Sequence, residues 1–528
     1  MSRQFDAIII GAGHNGLTCA CYLARAGLKV LVLEQSHTIG GMTVTEEITL
    51  PGFKSDLHAF GYQFANLSPV PKELNLSAHG FELIWPNINY SHVFPDGGFI
   101  AMHRSLEETV RSIGRYSKKD GETWRRLAGQ FVEQKDQITR WMNSPPASLT
   151  AATLQLAQMP HGMDEYRFEL QSTRSWVAEQ FEADETRLFI ATFASHASVS
   201  PDDVGGAHLA WLFTSLIQAV GNRVVRGGMH NLPLALAAYL RSKGGQIRTG
   251  ARVNKIVVKD NRAVGVRLVD GEEIGVKQIV ASNADPRQLI VDFLGPEHID
   301  ANLISKMQQY EWGDAYMAIY LALDGPLNYL AGADADRSAY VHPTPPTLDY
   351  LSSVYTECRG GLLPAAPLVL MCNDSAIDPD RAPVGKNVMK LVVNNVPYDI
   401  KGDATGKIHG RTWDAAKEAY ADHLIDLITK TYVPNLRDRI LRRVVHSPVD
   451  MERAIPSAVR GTVTHGAFLP YQSGAQRPLP GLGQYRMPVP NVYLCGSGSH
   501  PGGGVSMAPG RNSAQVILAA LQGNDIAS

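Results

Sequence analysis

Between residues 5 and 34 the chain places a strand, a glycine turn, a helix and a second strand in immediate succession, and few folds accommodate that order. Phe5-Asp6-Ala7-Ile8-Ile9-Ile10 is a short, apolar, β-branched run that stops at glycine, the pattern of a buried parallel strand. Leu17, Ala20, Leu23 and Ala24 recur at helical spacing, and Gly27 stands where such a helix ends. Lys29-Val30-Leu31-Val32-Leu33 then reads as a second buried strand, completing a βαβ unit.

The turn in this unit is Gly11-Ala12-Gly13-His14-Asn15-Gly16, a GxGxxG run. Gly11 permits the tight turn, Gly13 lets backbone approach a pyrophosphate, and Gly16 lets the helix lie close to the sheet. A diphosphate would sit at the helix start, where unpaired N–H groups and the positive dipole end favour an anion. Glu34 ends the second strand, where a carboxylate accepts hydrogen bonds from ribose hydroxyls; the same charge disfavours a 2′-phosphate, so NADP fits poorly. A second glycine pair, Gly40-Gly41, follows closely and suits a chain passing beside a cofactor. No second strand–GxGxxG–helix unit and no redox-active cysteine pair occur downstream, as a flavin disulfide reductase would require. A single, tightly held FAD is therefore the expected cofactor.

At 528 residues the chain is too long for one ordinary core. With 49 basic and 51 acidic residues and no Lys/Arg run, it lacks the basic stripe of a nucleic-acid binder. Five scattered cysteines suit reduced thiols in a reducing compartment and form no metal-ligand pattern, so no metal is expected. The first apolar run lacks the layout of a signal peptide, and residues 207–220 are too short to span a membrane, so a cytoplasmic protein is expected. Helical patterns cover residues 105–142, 172–193, 207–220, 413–431 and 512–521. Short strands are expected at 246–248, 253–258, 263–268, 278–280, 316–323, 388–393 and 491–495. The fold class is thus α/β: a discontinuous Rossmann-type FAD-binding domain (residues 1–75, 222–300 and 480–528) with an inserted α+β substrate domain (76–221 and 301–479).

Several motifs together resemble the phytoene desaturase-like branch of the FAD-dependent amine oxidase superfamily. They are residues 6–41, Arg226-Gly227-Gly228-Met229 with Leu232, the run 250–256 containing Val253, and Ser282-Asn283-Ala284-Asp285-Pro286. Residues 491–496, 499–505 and 508–512 are the most specific, with His465-Gly466, Gln472 and Arg477-Pro478 upstream. Within the branch the likeness is greatest to the subgroup named after pyridine nucleotide-disulphide oxidoreductase domain-containing protein 2; the cysteine pair that name suggests is missing here. The resemblance implies FAD contacts from Gly11, Gly13, His14, Asn15, Gly16, Glu34, Gln35, Gly40, Gly41, Met42, Val253, Gly496, Gly504 and Val505. It also implies that Gly502-Gly503-Gly504 passes beside the flavin ring and that the following helix points its positive end at the pyrimidine edge.

The implied reaction removes a hydride from a substrate carbon and a proton from its neighbour, as in a dehydrogenase or desaturase of an apolar, carotenoid or isoprenoid molecule. An FAD-dependent amine oxidase, a non-redox flavin isomerase and a catalytically silent FAD-bound regulatory protein remain as alternatives. Expected partners are an apolar small molecule and an electron acceptor (oxygen, a quinone or another); contact with a membrane surface is left open. No catalytic residue is assigned, with His58, His465 and His500 standing as candidate bases. Trp211-Leu212-Phe213 and Leu216-Ile217 are candidates for an apolar tunnel as well as for ordinary core.

Overall fold

In the computed structural model, which describes residues 4–524, β1 (Phe5–Ile10) and β2 (Val30–Leu33) pair in parallel, with α1 (His14–Arg25) crossing between them. The strand Glu273–Ser282 lies parallel on the other side of β1, with Ile10 opposite Ser282, and Gln246–Arg248 flanks β2, also in parallel. The outer edge of Glu273–Ser282 is shared. Its first three residues pair antiparallel with Arg262–Leu268, which pairs in turn with Val253–Lys259; its last three residues pair in parallel with Val492–Leu494. A parallel sheet must be covered on both faces. On one face, α1 packs against the helices Asn231–Ser242 and Ala508–Leu521, with Leu17, Cys19, Ala20 and Leu23 wholly buried.

A second seven-stranded sheet runs in the order Ile440–His446, Ala315–Leu323, Asn387–Val396, Val369–Cys372, Tyr340–Pro343, Ile88–Val93, Phe99–His103. All neighbours are antiparallel except Tyr340–Pro343 and Ile88–Val93. Ala315–Leu323 is buried at every position because both faces are covered. Met317, Ile319 and Leu321 face the helix Trp413–Thr431, which turns Trp413, Tyr420, Leu424 and Ile428 into that core. Tyr316, Ala318 and Tyr320 alternate onto the opposite face, toward Trp124, Phe189, Phe193 and Phe213 of three other helices.

Three helical expectations need correction. Residues 105–142 form two helices, Leu106–Ile113 and Lys118–Met142, because the Ser117 hydroxyl accepts from the Asp120 N–H and starts a new helix. Residues 172–193 divide into Thr173–Gln180 and Asp184–Ser195. There the buried carboxylate of Asp120 accepts the N–H groups of Glu182 and Ala183, both at 2.9 Å, drawing them out of the helical ladder. The final helix begins at Ala508 rather than 512, with Pro509 in its first turn. The strands Ile88–Val93 and Phe99–His103 and the helix Leu149–Gln158 lie where no element was expected.

Candidate active site

A cavity of about 490 Å³ opens at the carboxyl ends of β1 and β2 and continues toward the aromatic face of the second sheet. Gly11, Gly13, His14, Asn15, Glu34, Gln35, Gly40, Gly41, Met42, Val253, Gly504 and Val505 all line it. Two of the expected residues, Gly16 and Gly496, do not. A Cβ on Gly16 would stand 2.2 Å from the Gly11 carbonyl oxygen and 2.9 Å from Cβ of Asn283, and a Cβ on Gly496 would stand 2.8 Å from the Asn283 carbonyl oxygen. Both glycines are thus required by packing around Asn283, which itself lines the cavity.

The glycine cradle is tight. Gly13 forms a bridge with Gly40, and a Cβ on Gly13 would meet Nδ2 of Asn283 at 2.6 Å. Gly41 has a φ of +56° and passes close to Gly13. Glu34 accepts from the N–H groups of Ala12 (2.7 Å) and Ser36 (2.9 Å). Burial pushes its carboxyl up, opposed by these hydrogen bonds. With about four lone-pair sites, a carboxylate so held keeps capacity for hydroxyl donors from a ligand. Nε2 of His14 and Oδ1 of Asn15 are buried beside the cradle without partners among the described residues. Bare backbone, an anchored carboxylate and unpaired polar atoms together fit an FAD dinucleotide.

Beyond the cradle the walls become aromatic: Phe60, Phe64, Tyr90, Phe193, Phe213, Tyr316 and Phe468. The loop at 502–504 seals against them. A Cβ on Gly502 would be 2.7 Å from Phe468, and one on Gly504, where φ is +105°, would be 2.8 Å from Phe64. Arg477 ties together the segments that flank this loop. Its wholly buried guanidinium donates to the carbonyls of Thr464 (2.6 Å), Ala467 (3.3 Å) and Ser497 (3.0 Å), with Phe468 against its face. Of the expected tunnel residues only Phe213 reaches the cavity; Trp211, Leu212, Leu216 and Ile217 are buried in the adjoining core.

The candidate bases divide likewise. His58 and His465 line the cavity, whereas His500 donates from Nε2 to the Trp141 carbonyl at 2.8 Å and is absent from the lining. His58 contacts the Tyr316 hydroxyl through Nδ1 at 3.3 Å; burial, Lys390 and His446 push it down to about 3. Burial, Arg477 and His14 push His465 down to about 4. A further histidine, His196, lines the same chamber and carries no sequence signal, because its neighbours come from distant segments.

Residues 16–518 match the family described as flavin containing amine oxidoreductase. The chain is 30% identical to pyridine nucleotide-disulfide oxidoreductase domain-containing protein 2 of Rattus norvegicus, covering 99% of this chain and 94% of the relative. It is also 30% identical to one of the subunits of limonene dehydrogenase from Castellaniella defragrans, covering 98% and 94%. An oxidoreductase from Methanosarcina mazei, 17% identical, superposes over 97% of this chain and 99% of its own with a TM-score of 0.62, a likeness of fold. Family, fold and cradle agree: the chain belongs to the flavin-containing amine oxidoreductase family and is an FAD-dependent oxidoreductase.

Proposed function

We propose that this chain dehydrogenates an apolar hydrocarbon, of isoprenoid or carotenoid type, held in the aromatic chamber next to FAD. One observation carries this reading: the dinucleotide cradle and the aromatic chamber form one continuous cavity whose lining carboxylates, among the described residues, are Glu34 and Asp292 alone. Asp292 belongs to the segment Gln288–Leu294, which packs on Val253–Lys259 at the Glu34 side. An ammonium substrate in the chamber would find no counter-charge there, whereas a hydrocarbon would find aromatic faces. A relative of this chain bears the name limonene dehydrogenase, and limonene is a hydrocarbon of this class.

In this reading Glu34 and Gln35 bind the adenosine ribose, Gly11 to Asn15 the diphosphate, and Gly40 to Met42 with Gly504 and Val505 flank the ring; Val253 borders the adenine. Bound FAD supplies the acceptor for a hydride. The protein orients the substrate against Phe60, Phe64 and Phe213 and keeps water out of the chamber. Residues 1–75, 222–300 and 480–528 act as the cofactor module, and 76–221 and 301–479 as the substrate module. Electrons leave to an acceptor such as oxygen or a quinone.

Among the described residues no helix is long and apolar enough to cross a membrane. Residues 141–163 nevertheless contain no Asp, Glu, Lys or Arg, and the helix Leu149–Gln158 buries none of its residues. Leu149, Leu154, Met159 and Met163 are exposed there. We assign this face to peripheral contact with a lipid surface, from which a hydrocarbon substrate would be drawn, in a cytoplasmic protein with buried, free cysteines.

Anaerobic mixing of the purified yellow protein with limonene, a carotenoid extract and an amine panel tests the substrate class. Bleaching of the visible flavin band by an apolar probe and not by amines is expected. Bleaching by an amine alone would overturn the reading.

A further inference from the structure

His196 projects from the end of the helix that carries Phe193 into the aromatic chamber, with its ring centroid 6.4 Å from Phe60. Its Nε2 lies 2.7 Å from Nε2 of His342 on the second sheet. Two nitrogens at that separation share one hydrogen, so which ring donates is fixed by the next contact. Nδ1 of His342 lies 3.0 Å from the carbonyl oxygen of Val369. A carbonyl only accepts, so His342 must carry its proton on Nδ1 and present a lone pair at Nε2. His196 must then donate through Nε2, which leaves its own Nδ1 bare.

The third ring of the cluster does not disturb this order. His92 stands 4.6 Å from His342, with Nδ1 3.2 Å from the Thr192 hydroxyl, which itself donates to the Phe189 carbonyl. His92 therefore donates from Nδ1 to Thr192 and has no proton to offer His342; its Nε2 has no partner among the described residues. Among the described residues no such group forms a metal site.

Resting on the dehydrogenation proposed above, we propose that His196 is the proton acceptor of the reaction, held with Nδ1 basic by the His342–Val369 chain, and that His342 is its positioning residue. The substrate gives up a hydride to the bound flavin and the proton of the neighbouring carbon to Nδ1 of His196. The electron pair of that second C–H bond becomes the new C=C bond, so the substrate is oxidised by two electrons and the flavin reduced by two.

Three other histidines line the cavity, and each is less suited. Protonated His58 would face the Lys390 ammonium, and protonated His465 the Arg477 guanidinium. His14 opens α1, where the helix dipole opposes a cation. Among the described residues the titratable groups acting on or with His196 are His342 and His92, both neutral, beside aromatic rings; burial alone pushes it down to about 4. So weak a base stays unprotonated at neutral pH and deprotonates only a strong acid, such as the carbon beside a cationic centre left by hydride loss. The chain of rings ends on a backbone carbonyl, so it orients the base without draining the proton, which leaves from Nδ1 after the product departs.

Nitrogen-15 NMR of histidine-labelled, FAD-loaded protein tests this without turnover. The resonance pair lost in His196→Gln should show a protonated Nε2 and a bare Nδ1 throughout pH 6–8 (about the range in which an ordinary histidine titrates). In His342→Phe that preference should collapse into a tautomer mixture. Anaerobic flavin reduction by limonene or a carotenoid extract should slow by at least roughly 100-fold in His196→Gln, with FAD content and melting temperature unchanged. A protonated Nδ1 or an imidazolium at pH 7 overturns the proposal, as does reduction of His196→Gln at the wild-type rate. If no apolar probe reduces the wild-type flavin, the substrate reading fails, and the tautomer still decides the state of His196.

Discussion

Asp285, in the turn that follows the strand Glu273–Ser282, is wholly buried; Oδ1 accepts from the Gln288 N–H at 3.0 Å while Oδ2 has no partner among the described residues. Burial pushes its carboxyl up to about 7, against the opposing hydrogen bond from Gln288 and the charge of Arg287. The folded chain thus holds a proton that the unfolded chain, with a carboxyl of 3.8, has already lost. The stability this contributes is present below about pH 4 and disappears as pH rises toward 7. Asp285→Asn should therefore gain on the wild type by on the order of 4 kcal/mol between pH 4 and pH 8, read by denaturant titration. A difference that stays constant with pH would contradict the assignment. At this scale Gly13 and Glu34 were legible because their role is set by a local motif, while His196 was not. The meaning of its ring depends on His342, which is 146 residues away.

The packing of α1 on the helix Ala508–Leu521 shows how an element-level contact supports the cradle. A Cβ on Gly510 would stand 2.1 Å from the Asn15 carbonyl oxygen, backbone that cannot yield without moving the turn at Gly13. Gly510→Ala should cost roughly 1–3 kcal/mol and lower both the melting temperature and the FAD content. A variant with wild-type values of both would show that the two helices are free to part. The βαβ unit, the strands near 246–282 and the long helix near 413–431 follow from periodicity, since each is amphipathic or fully apolar over its own length. The break before Asp184 does not, because Asp120, which causes it, acts across 62 residues. Ile88–Val93 carries Asn89, Ser91 and His92, polar residues whose burial becomes intelligible only once the second sheet is assembled around them.

Over the whole molecule, two seven-stranded sheets enclose one cavity whose polar side faces the dinucleotide cradle and whose aromatic side faces the second sheet. The charge-free face at 141–163 should bind neutral phosphatidylcholine vesicles in a flotation assay, equally at low and high salt, since net charge is only −2. Leu154→Asp combined with Met163→Asp should abolish flotation; binding that survives the pair, or no binding by the wild type, would refute the lipid contact. All of this depends on FAD lying in the cradle. The most direct measurement is the FAD released on denaturing purified wild-type protein and its Gly13→Val variant. The wild type should release one FAD per chain and the variant almost none, because a side chain at 13 would collide with Asn283 and fill the diphosphate path. A wild type that cannot be loaded with FAD, or a variant that keeps its full complement, would contradict the account.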